Sequence, residues 1–335
     1  MLPENLPTAG RSGLADDRTG PRRRGVRGAW VIRPLMTQFD AGMPREDHPT
    51  NRSEIRHAKP ITATRWIRAM SGGTQSQLCE ADDGHTYVVK SCWNPQGRRT
   101  LVNEWIATEL IRRCGLCMAV GIPIRVDSEV LADLCRLSSP RYWNLDPSFT
   151  LHFGSRLPVN PEQQAVYDFV PAPLLGSVLN RQHFVGALAL DCWLANVDVR
   201  QAVFFRGTPR RWVENSMVHG SKKALIALMI DNGQCFNGGR WSFKTAQPVT
   251  PYRASEVYAG VSGLESFARW IERIAAISTN LLDALRTNIP AEWVFQDENA
   301  LDCLLEDLFR RKRLVPRLLS EVQLTTPSAF PDWNA

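Results

Sequence analysis

The chain has 335 residues and a formal net charge of +6, and 44% of its residues are hydrophobic. A chain of this length can bury about 75% of the surface that it exposes when unfolded, which is enough for a sizeable core. Its eight cysteines are scattered, which excludes the class of small secreted proteins with dense disulfides and predicts reduced thiols. No segment reaches the roughly 18 apolar residues of a membrane span, and the start has no apolar signal core. We therefore expect a soluble, cytoplasmic protein that does not contact a membrane.

The first part of the chain, residues 1–58, is rich in Pro, Gly, Arg and Asp. Such a segment buries too little apolar surface to offset the conformational entropy that is lost on ordering. The composition therefore predicts a disordered N-terminal extension.

Residues 61–126 predict a small, mainly β region with one helix. Short runs rich in β-branched and aromatic residues predict strands, and apolar residues at helical spacing, among them Trp105 and Leu110, predict an amphipathic helix. Gly115 can adopt the left-handed conformation that ends a helix, so Cys114 and Cys117 are interpreted as packed thiols rather than as a zinc or redox pair. The predicted strands are 63–69, 76–81, 86–91 and 121–126, and the predicted helix is 101–114.

The rest of the chain predicts a mainly helical region. The segment 167–171 predicts a strand that ends at a proline-bearing crossover, which is typical of a hinge. The predicted helices are 174–180, 182–195, 263–275, 277–288 and 299–319, and the predicted strands are 202–206 and 225–230.

Two acidic motifs, in segments 191–201 and 229–236, flank these two strands. Asp198 follows an apolar helix, so its charge lies where a helix gives way to a loop. Asp231 follows an apolar strand and precedes a turn, a position suited to a carboxylate that binds Mg²⁺; an Asp that only opens the turn is the plain alternative. Asp191 is either an ordinary helix acid or a group that hydrogen-bonds the loop backbone.

In their order along the chain, these motifs resemble those of the HipA-like kinases, a diverged branch of the protein-kinase-like superfamily. The resemblance spans about residues 61–322. The matching segments are Gly72-Gly73, Tyr87-Val-Val-Lys90, Asn103-Glu104, His152-Phe-Gly-Ser155, Tyr167-Asp168-Phe169, residues 191–201 and Ile230-Asp231-Asn-Gly233-Gln-Cys-Phe236.

The resemblance implies an α+β, two-lobed protein-kinase-like fold. It places a small, mainly β N-lobe with one helix at residues 61–170, a larger, mainly helical C-lobe at 171–322, and a flexible tail at 323–335. It also implies an ATP-dependent, Mg²⁺-requiring phosphotransferase. The acceptor is then a hydroxyl group, on Ser or Thr of a protein, on the kinase itself or on a small molecule, and a regulatory protein partner is compatible with this interpretation.

For the nucleotide site, the resemblance implies that Lys90 contacts the phosphates of ATP and that Glu104, on the following helix, holds its ammonium group. Glu109 is the second candidate for this partner, and a solvated lysine at a strand end is the plain alternative. Gly72, Gly73 and Thr74 form the candidate phosphate-covering loop, because glycine lets backbone amides approach phosphates closely, although ordinary hairpins use the same residues. Asp168, in the predicted hinge, is a further candidate contact to the nucleotide.

For catalysis, Asp198 is the candidate that orients the acceptor hydroxyl, and Asp231 is the candidate magnesium ligand. Kinases usually place a second metal ligand, Asn, five residues after the catalytic Asp, and this chain has Val203 there. We hypothesise that Gln201 supplies the missing oxygen, with Asn196 bracing the loop. The partner of Arg200 is open: Asp198, another acidic residue or a phosphate.

Two other functions are weighed against a kinase. Val203 supports a pseudokinase of the same fold, which binds a nucleotide or a protein partner and transfers nothing. The positive charge supports a DNA-binding regulator, but the chain has none of the familiar nucleic-acid-binding motifs, so direct nucleic-acid binding is not expected.

Overall fold

The computed structural model describes residues 61–137, 149–212, 223–244 and 248–334. The predicted disordered extension, residues 1–58, lies outside the described residues. Within the described ranges, no helix is long and apolar enough to cross a membrane.

The N-terminal strands close into a five-stranded barrel, a feature that the sequence analysis did not predict. The strands are β1 Ile61–Ala69, β2 Gln77–Ala81, β3 Thr86–Lys90, β4 Gly121–Val126 and β5 Leu151–Arg156. Their order is β1-β2-β3-β5-β4, and a parallel pair between β1 and β4 closes the barrel. Alternate residues of a barrel strand face the interior, and Ala63, Tyr87 and Ile124 are among the buried residues that fill it.

Two helices accompany the barrel strands, one more than predicted. Helix α1, Arg99–Arg113, lies between β3 and β4, and helix α2, Ser128–Leu137, follows β4. The α1 helix ends as the sequence predicts, because Gly115 has a φ of 81°. Helix α2 follows Asp127, whose carboxylate accepts a hydrogen bond from the backbone N–H of Glu129, a local bond that favours helix initiation.

The remaining described residues form a two-stranded sheet and seven α-helices. The elements are α3 Ala172–Leu175, α4 His183–Leu194, β6 Gln201–Gly207, β7 Ala224–Ile230, α5 Ala268–Ala275, α6 Thr279–Thr287, α7 Ala291–Val294, α8 Glu298–Arg311 and α9 Val315–Thr325. Every residue of α4 is buried, and its neighbours include α5, α8 and α9. Strands β6 and β7 pair antiparallel with Gln201 opposite Ile230, so the ends of the two acidic motifs meet.

Two predictions for residues 167–180 are wrong. Segment 167–171 is not a strand: only Tyr167 pairs, in an isolated bridge to Phe204 of β6, and Pro171 then precedes the short helix α3. A helix over 174–180 is also absent, because α3 ends at Leu175. Beyond it, the Asn180 side chain donates to the carbonyl of Ala227 and accepts from the N–H of the same residue, which ties this segment to β7.

The predicted helix 299–319 is divided into α8 and α9 by a short 3-10 turn, Lys312–Leu314. Pro316 lies in the first turn of α9, where proline is tolerated because its missing N–H has no helical partner there. The predicted domain boundary at 322 falls inside α9, and Ala329 and Phe330 in the predicted tail are buried. The division into two lobes stays a prediction.

Two buried histidines predict a loss of stability at acid pH. Burial lowers the pKa of His152 and of His183 to about 4, and each ring accepts a backbone N–H, from Cys92 and Cys117 respectively. The unfolded chain binds these protons near its ordinary histidine pKa of about 6.5, so stability falls as the pH decreases from there towards the folded-state pKa.

We expect each histidine to remove about 1.5 kcal/mol of unfolding free energy between about pH 6.5 and 5, measured by urea unfolding across this range. The His183→Gln variant should lose its share of the pH dependence. An unchanged slope in that variant would contradict the prediction.

Candidate active site

The centre of the candidate site is a buried lysine between two carboxylates. Lys90 is the last residue of β3, Glu104 lies on α1, and Asp231 follows β7. The Lys90 Nζ forms an ion pair with Glu104 Oε1 and a second one, at 2.7 Å, with Asp231 Oδ1. Only 6% of the Lys90 surface and 2% of the Glu104 surface is exposed. The structure therefore brings together three predicted site residues from three separate elements.

The ionisation of this cluster is set by burial and by its own charges. Burial alone would lower the pKa of Lys90, but Glu104 and Asp231 outweigh it and raise that pKa. Burial would also raise the pKa of Asp231, but Lys90 outweighs it and lowers that pKa. Burial raises the pKa of Glu104, and Lys90 opposes this rise. With all three groups ionised, the cluster carries one positive and two negative charges, which favours a nearby cation.

The backbone turn after β7 places Asp231 next to Lys90 and packs closely against α1. Asp231 has a φ of 61°, a left-handed conformation that Asp tolerates better than most residues. A Cβ on Gly233 would lie 2.6 Å from Thr100 Cγ2 of α1, so glycine allows the turn to approach this helix. Helix α1 thus holds both the lysine and the turn that presents Asp231.

Gln201 is the first residue of β6 and contacts Asp231 directly. Its Nε2 donates to Asp231 Oδ2 at 3.2 Å, on the exposed side of the site. Val203, at the position where kinases usually have Asn, lies within β6 opposite Leu228 and packs in an apolar cluster. The residue five positions after Asp198 therefore belongs to a paired strand with apolar neighbours, whereas Gln201 is the residue of β6 that contacts Asp231.

Asp198 is exposed and lies in a loop after α4. The backbone of this loop is held by Asn196 and by segment 229–236. Ala195 ends α4 in the left-handed conformation, and Asn196 Oδ1 accepts the N–H of Asp198 at 3.2 Å. The N–H of Val197 donates to the carbonyl of Gln234 at 3.1 Å. The loop that carries Asp198 and the turn that follows Asp231 are therefore bonded to each other.

The partner of Arg200, which the sequence left open, is Asp191. The buried guanidinium donates to both carboxylate oxygens of Asp191, from Nε at 3.0 Å and from Nη2. Asp191 also accepts from Asn196 Nδ2 at 3.0 Å. The carboxylate of Asp191 therefore holds the loop through the side chains of Arg200 and Asn196, rather than through the loop backbone.

The glycine turn between β1 and β2 lies beside the start of α1. Gly72 has a φ of 142°, and a Cβ on Gly73 would lie 2.6 Å from Gln96 Nε2. Thr74 is buried, and its hydroxyl bonds that of Ser76 at 2.9 Å. Gln96 in turn accepts from Gln234, in the turn after Asp231, at 2.9 Å. Gln96 was not identified from the sequence, because an exposed glutamine in a loop carries no distinctive signal.

Asp168 is exposed and follows Tyr167, whose backbone bonds Phe204 of β6 in both directions. A nucleotide contact from Asp168 stays a prediction, as does the covering of phosphates by the glycine turn.

Asn103 has a role that the sequence analysis did not assign. Its buried Nδ2 lies 2.9 Å from the carbonyls of both Gly233 and Cys235, and its Oδ1 accepts from Trp241 Nε1 at 2.7 Å. An amide side chain among the buried apolar residues of α1, such as Ile106 and Leu110, is the signal that would have identified it. Asn103 fixes the turn after Asp231 from the same helix that carries Glu104.

The side chains that could bind a metal ion at this site, those of Asp231 and Gln201, carry oxygen donors. Among the described residues, no group of three or more His, Cys, Asp or Glu is arranged to hold a metal. Mg²⁺ needs no such cage, because it is usually held by one or two carboxylates together with substrate phosphates and water. Asp231 and the side-chain carbonyl of Gln201 fit this requirement once the Gln201 amide is turned to present its oxygen.

The chain is similar in sequence to a known family of proteins. A family model described as HipA-like kinase matches residues 65–318. A crystal structure of a Helicobacter pylori proinflammatory kinase, CtkA, is similar with 13% sequence identity and a TM-score of 0.48, covering 79% of this chain and 99% of that one. The comparison with curated proteins gives no match.

Replacing Asn103 should destabilise the protein. The Asn103→Ala variant leaves buried carbonyls and the Trp241 N–H without their partner, which should cost about 3 kcal/mol of unfolding free energy, measured by urea unfolding. Asn288→Ala is the control, because the Asn288 side chain bonds the exposed end of α6. Equal losses in the two variants would contradict the assigned role.

Proposed function

Because the chain belongs to the HipA-like kinase family, we propose that it is an ATP-dependent, Mg²⁺-requiring phosphotransferase whose acceptor is a hydroxyl group. The observation that carries this proposal is the position of Lys90, buried between Glu104 and Asp231. Burying the charges of Lys90 and Glu104 is an expensive way to stabilise a core, since apolar residues of similar volume do so at lower cost. A role of the Lys90 ammonium in binding the phosphates of ATP explains why a charged lysine and its carboxylate partners are present here.

In this proposal each group has one task. Lys90 binds the phosphates of ATP, and Glu104 keeps its ammonium in place. Asp231 and Gln201 hold magnesium, which when bound neutralises the negative charge of the phosphates. Asp198 orients the acceptor hydroxyl and accepts its proton. The exposure of Asp198 leaves room for an incoming acceptor, whereas the buried side of its loop is occupied by Asn196 and Asp191.

We further propose that the acceptor is Ser or Thr of a protein, or of the kinase itself, as the family relationship suggests. A binding module without transfer is the alternative outcome. Its support is Val203 at the position where kinases usually have a metal ligand, and the contact of Gln201 with Asp231 supports Gln201 as the replacement for that ligand.

Transfer of the γ-phosphate should depend on Asp198. With labelled ATP and Mg²⁺, the wild type should phosphorylate itself, a protein in an extract or a small hydroxyl compound. Asp198→Ala should lower this rate by about 100-fold or more, because the positioned proton acceptor is lost. Asp307→Ala is the control, since Asp307 is exposed on α8 and pairs with Arg310 of the same helix. Absence of transfer by the wild type to every acceptor would favour the binding module.

Magnesium dependence should report on Gln201. Gln201→Ala should raise the Mg²⁺ concentration for half-maximal transfer about tenfold, because one neutral oxygen donor is removed while Asp231 remains. Gln163→Ala, at an exposed position outside the site, should behave as the wild type. If turnover and magnesium dependence are unchanged in Gln201→Ala, Gln201 is not a metal ligand.

A further inference from the structure

The two proposed metal ligands have buried neighbours in sequence that bond to each other. Arg200 precedes Gln201, and Asn232 follows Asp231. On the exposed side, Gln201 Nε2 lies 3.2 Å from Asp231 Oδ2. On the buried side, Arg200 Nη1 donates to Asn232 Oδ1 at 2.7 Å. Segments 200–201 and 231–232 are thus joined twice. The candidate metal ligands join them on the exposed side, and buried side chains that no substrate can reach join them on the other side.

The buried bond continues to helix α1. Asn232 is fully buried, and its Nδ2 donates to Thr108 Oγ1 at 2.8 Å. Thr108 lies four residues after Glu104, and residues at this spacing share one face of a helix. Two side chains on one face of α1 therefore act on the dipeptide Asp231-Asn232: Glu104 pairs with Lys90, which contacts Asp231, and Thr108 bonds the side chain of Asn232.

The same chain of bonds continues in the other direction to the loop of Asp198. Arg200 donates to both oxygens of Asp191, Asp191 accepts from Asn196 Nδ2, and Asn196 Oδ1 accepts the backbone N–H of Asp198. Each side chain in this series is no more than 4% exposed. We refer to the series as the polar chain, and its five members are Thr108, Asn232, Arg200, Asp191 and Asn196.

We propose that the polar chain is a positioning device, which keeps the backbone of Asp198 in register with Asp231 and ties that register to the position of α1. The sheet alone cannot do this, because β7 ends at Ile230 and β6 begins at Gln201, so both acidic residues lie beyond the paired strands. Asp231 is also in a left-handed conformation, which a turn adopts only when its surroundings hold it.

The consequence is a coupling between two parts of the site. A displacement of α1 breaks the bond of Thr108 to Asn232 together with the ion pair of Glu104 with Lys90. The nucleotide-binding pair and the register of the two acidic residues are therefore assembled by the same helix. This inference rests on the proposed function, because it assigns positioning roles to residues around the proposed metal and acceptor groups.

The test removes one hydroxyl at the α1 end of the polar chain, far along it from Asp198. Thr108→Val keeps the shape of the side chain and removes the bond to Asn232, whereas Thr108→Ser restores a hydroxyl. Thr287→Val is the control, because the Thr287 hydroxyl is exposed and bonds a carbonyl of its own helix. Two quantities are measured on the full chain: amide hydrogen exchange at residues 196–199, and the Mg²⁺ concentration that half-saturates binding of a non-hydrolysable ATP analogue.

We expect Thr108→Val to increase exchange at residues 196–199 about tenfold and to raise the half-saturating Mg²⁺ concentration by a similar factor, the size of one lost buried hydrogen bond. Thr108→Ser and Thr287→Val should remain close to the wild type. If Thr108→Val only lowers the melting temperature, with exchange and magnesium dependence unchanged, Thr108 is a structural residue and the proposal is wrong.

A second variant covers the case in which Thr108→Val does not fold. Asp191→Asn keeps the size of the side chain and removes the charge that pairs with Arg200, so exchange at residues 196–199 should rise in the same way; no rise would overturn the proposal. Neither measurement requires phosphoryl transfer. Lack of transfer by the wild type would therefore count against the proposed function, while the exchange result would still decide the role of the polar chain.

Discussion

The arrangement of the site depends on one buried ammonium group. Lys90 is removed from water and stays charged because two carboxylates, Glu104 and Asp231, are held against it. Loss of Lys90 would leave the buried Glu104 carboxylate without its counter-charge, which costs several kcal/mol. The three residues come from a barrel strand, a helix and the end of a sheet, so this requirement fixes the relative positions of those three elements.

Helix α1 meets this requirement through polar side chains on a largely buried helix. Glu104 holds the lysine, Asn103 holds the carbonyls of the turn after Asp231, and Thr108 holds the side chain of Asn232. Each of these groups is satisfied, so the helix can be buried without the penalty of unpaired polar atoms at these positions. Apolar packing places α1 against the core, and hydrogen bonds then determine the conformation of the turn beside it.

The loops that carry the two acidic residues are ordered without regular secondary structure. Backbone bonds join Val197 to Gln234 and Phe236 to Leu194, and the Asp191–Arg200 pair is buried beside them. Cys235 and Phe236 anchor the second loop in the apolar core, and the polar groups of both loops depend on specific partners. The apolar helix α4 precedes the loop of Asp198, and the apolar strand β7 precedes Asp231. These two elements position the residues that bond the loops.

The sequence by itself determined the strands and helices with clear periodicity, the family, and the identity of Lys90, Glu104 and Asp231 as candidates, because each follows or lies on an element with a strong local pattern. It did not determine that the five N-terminal strands close into a barrel. It also did not determine that β6 begins at Gln201, which brings Gln201 to Asp231 and leaves Val203 in an apolar cluster. Nor did it determine that Arg200 pairs with Asp191. These features depend on strand register and on contacts between residues distant in sequence. Only the tertiary structure decides them, because several partners satisfy the same local chemistry and packing selects one.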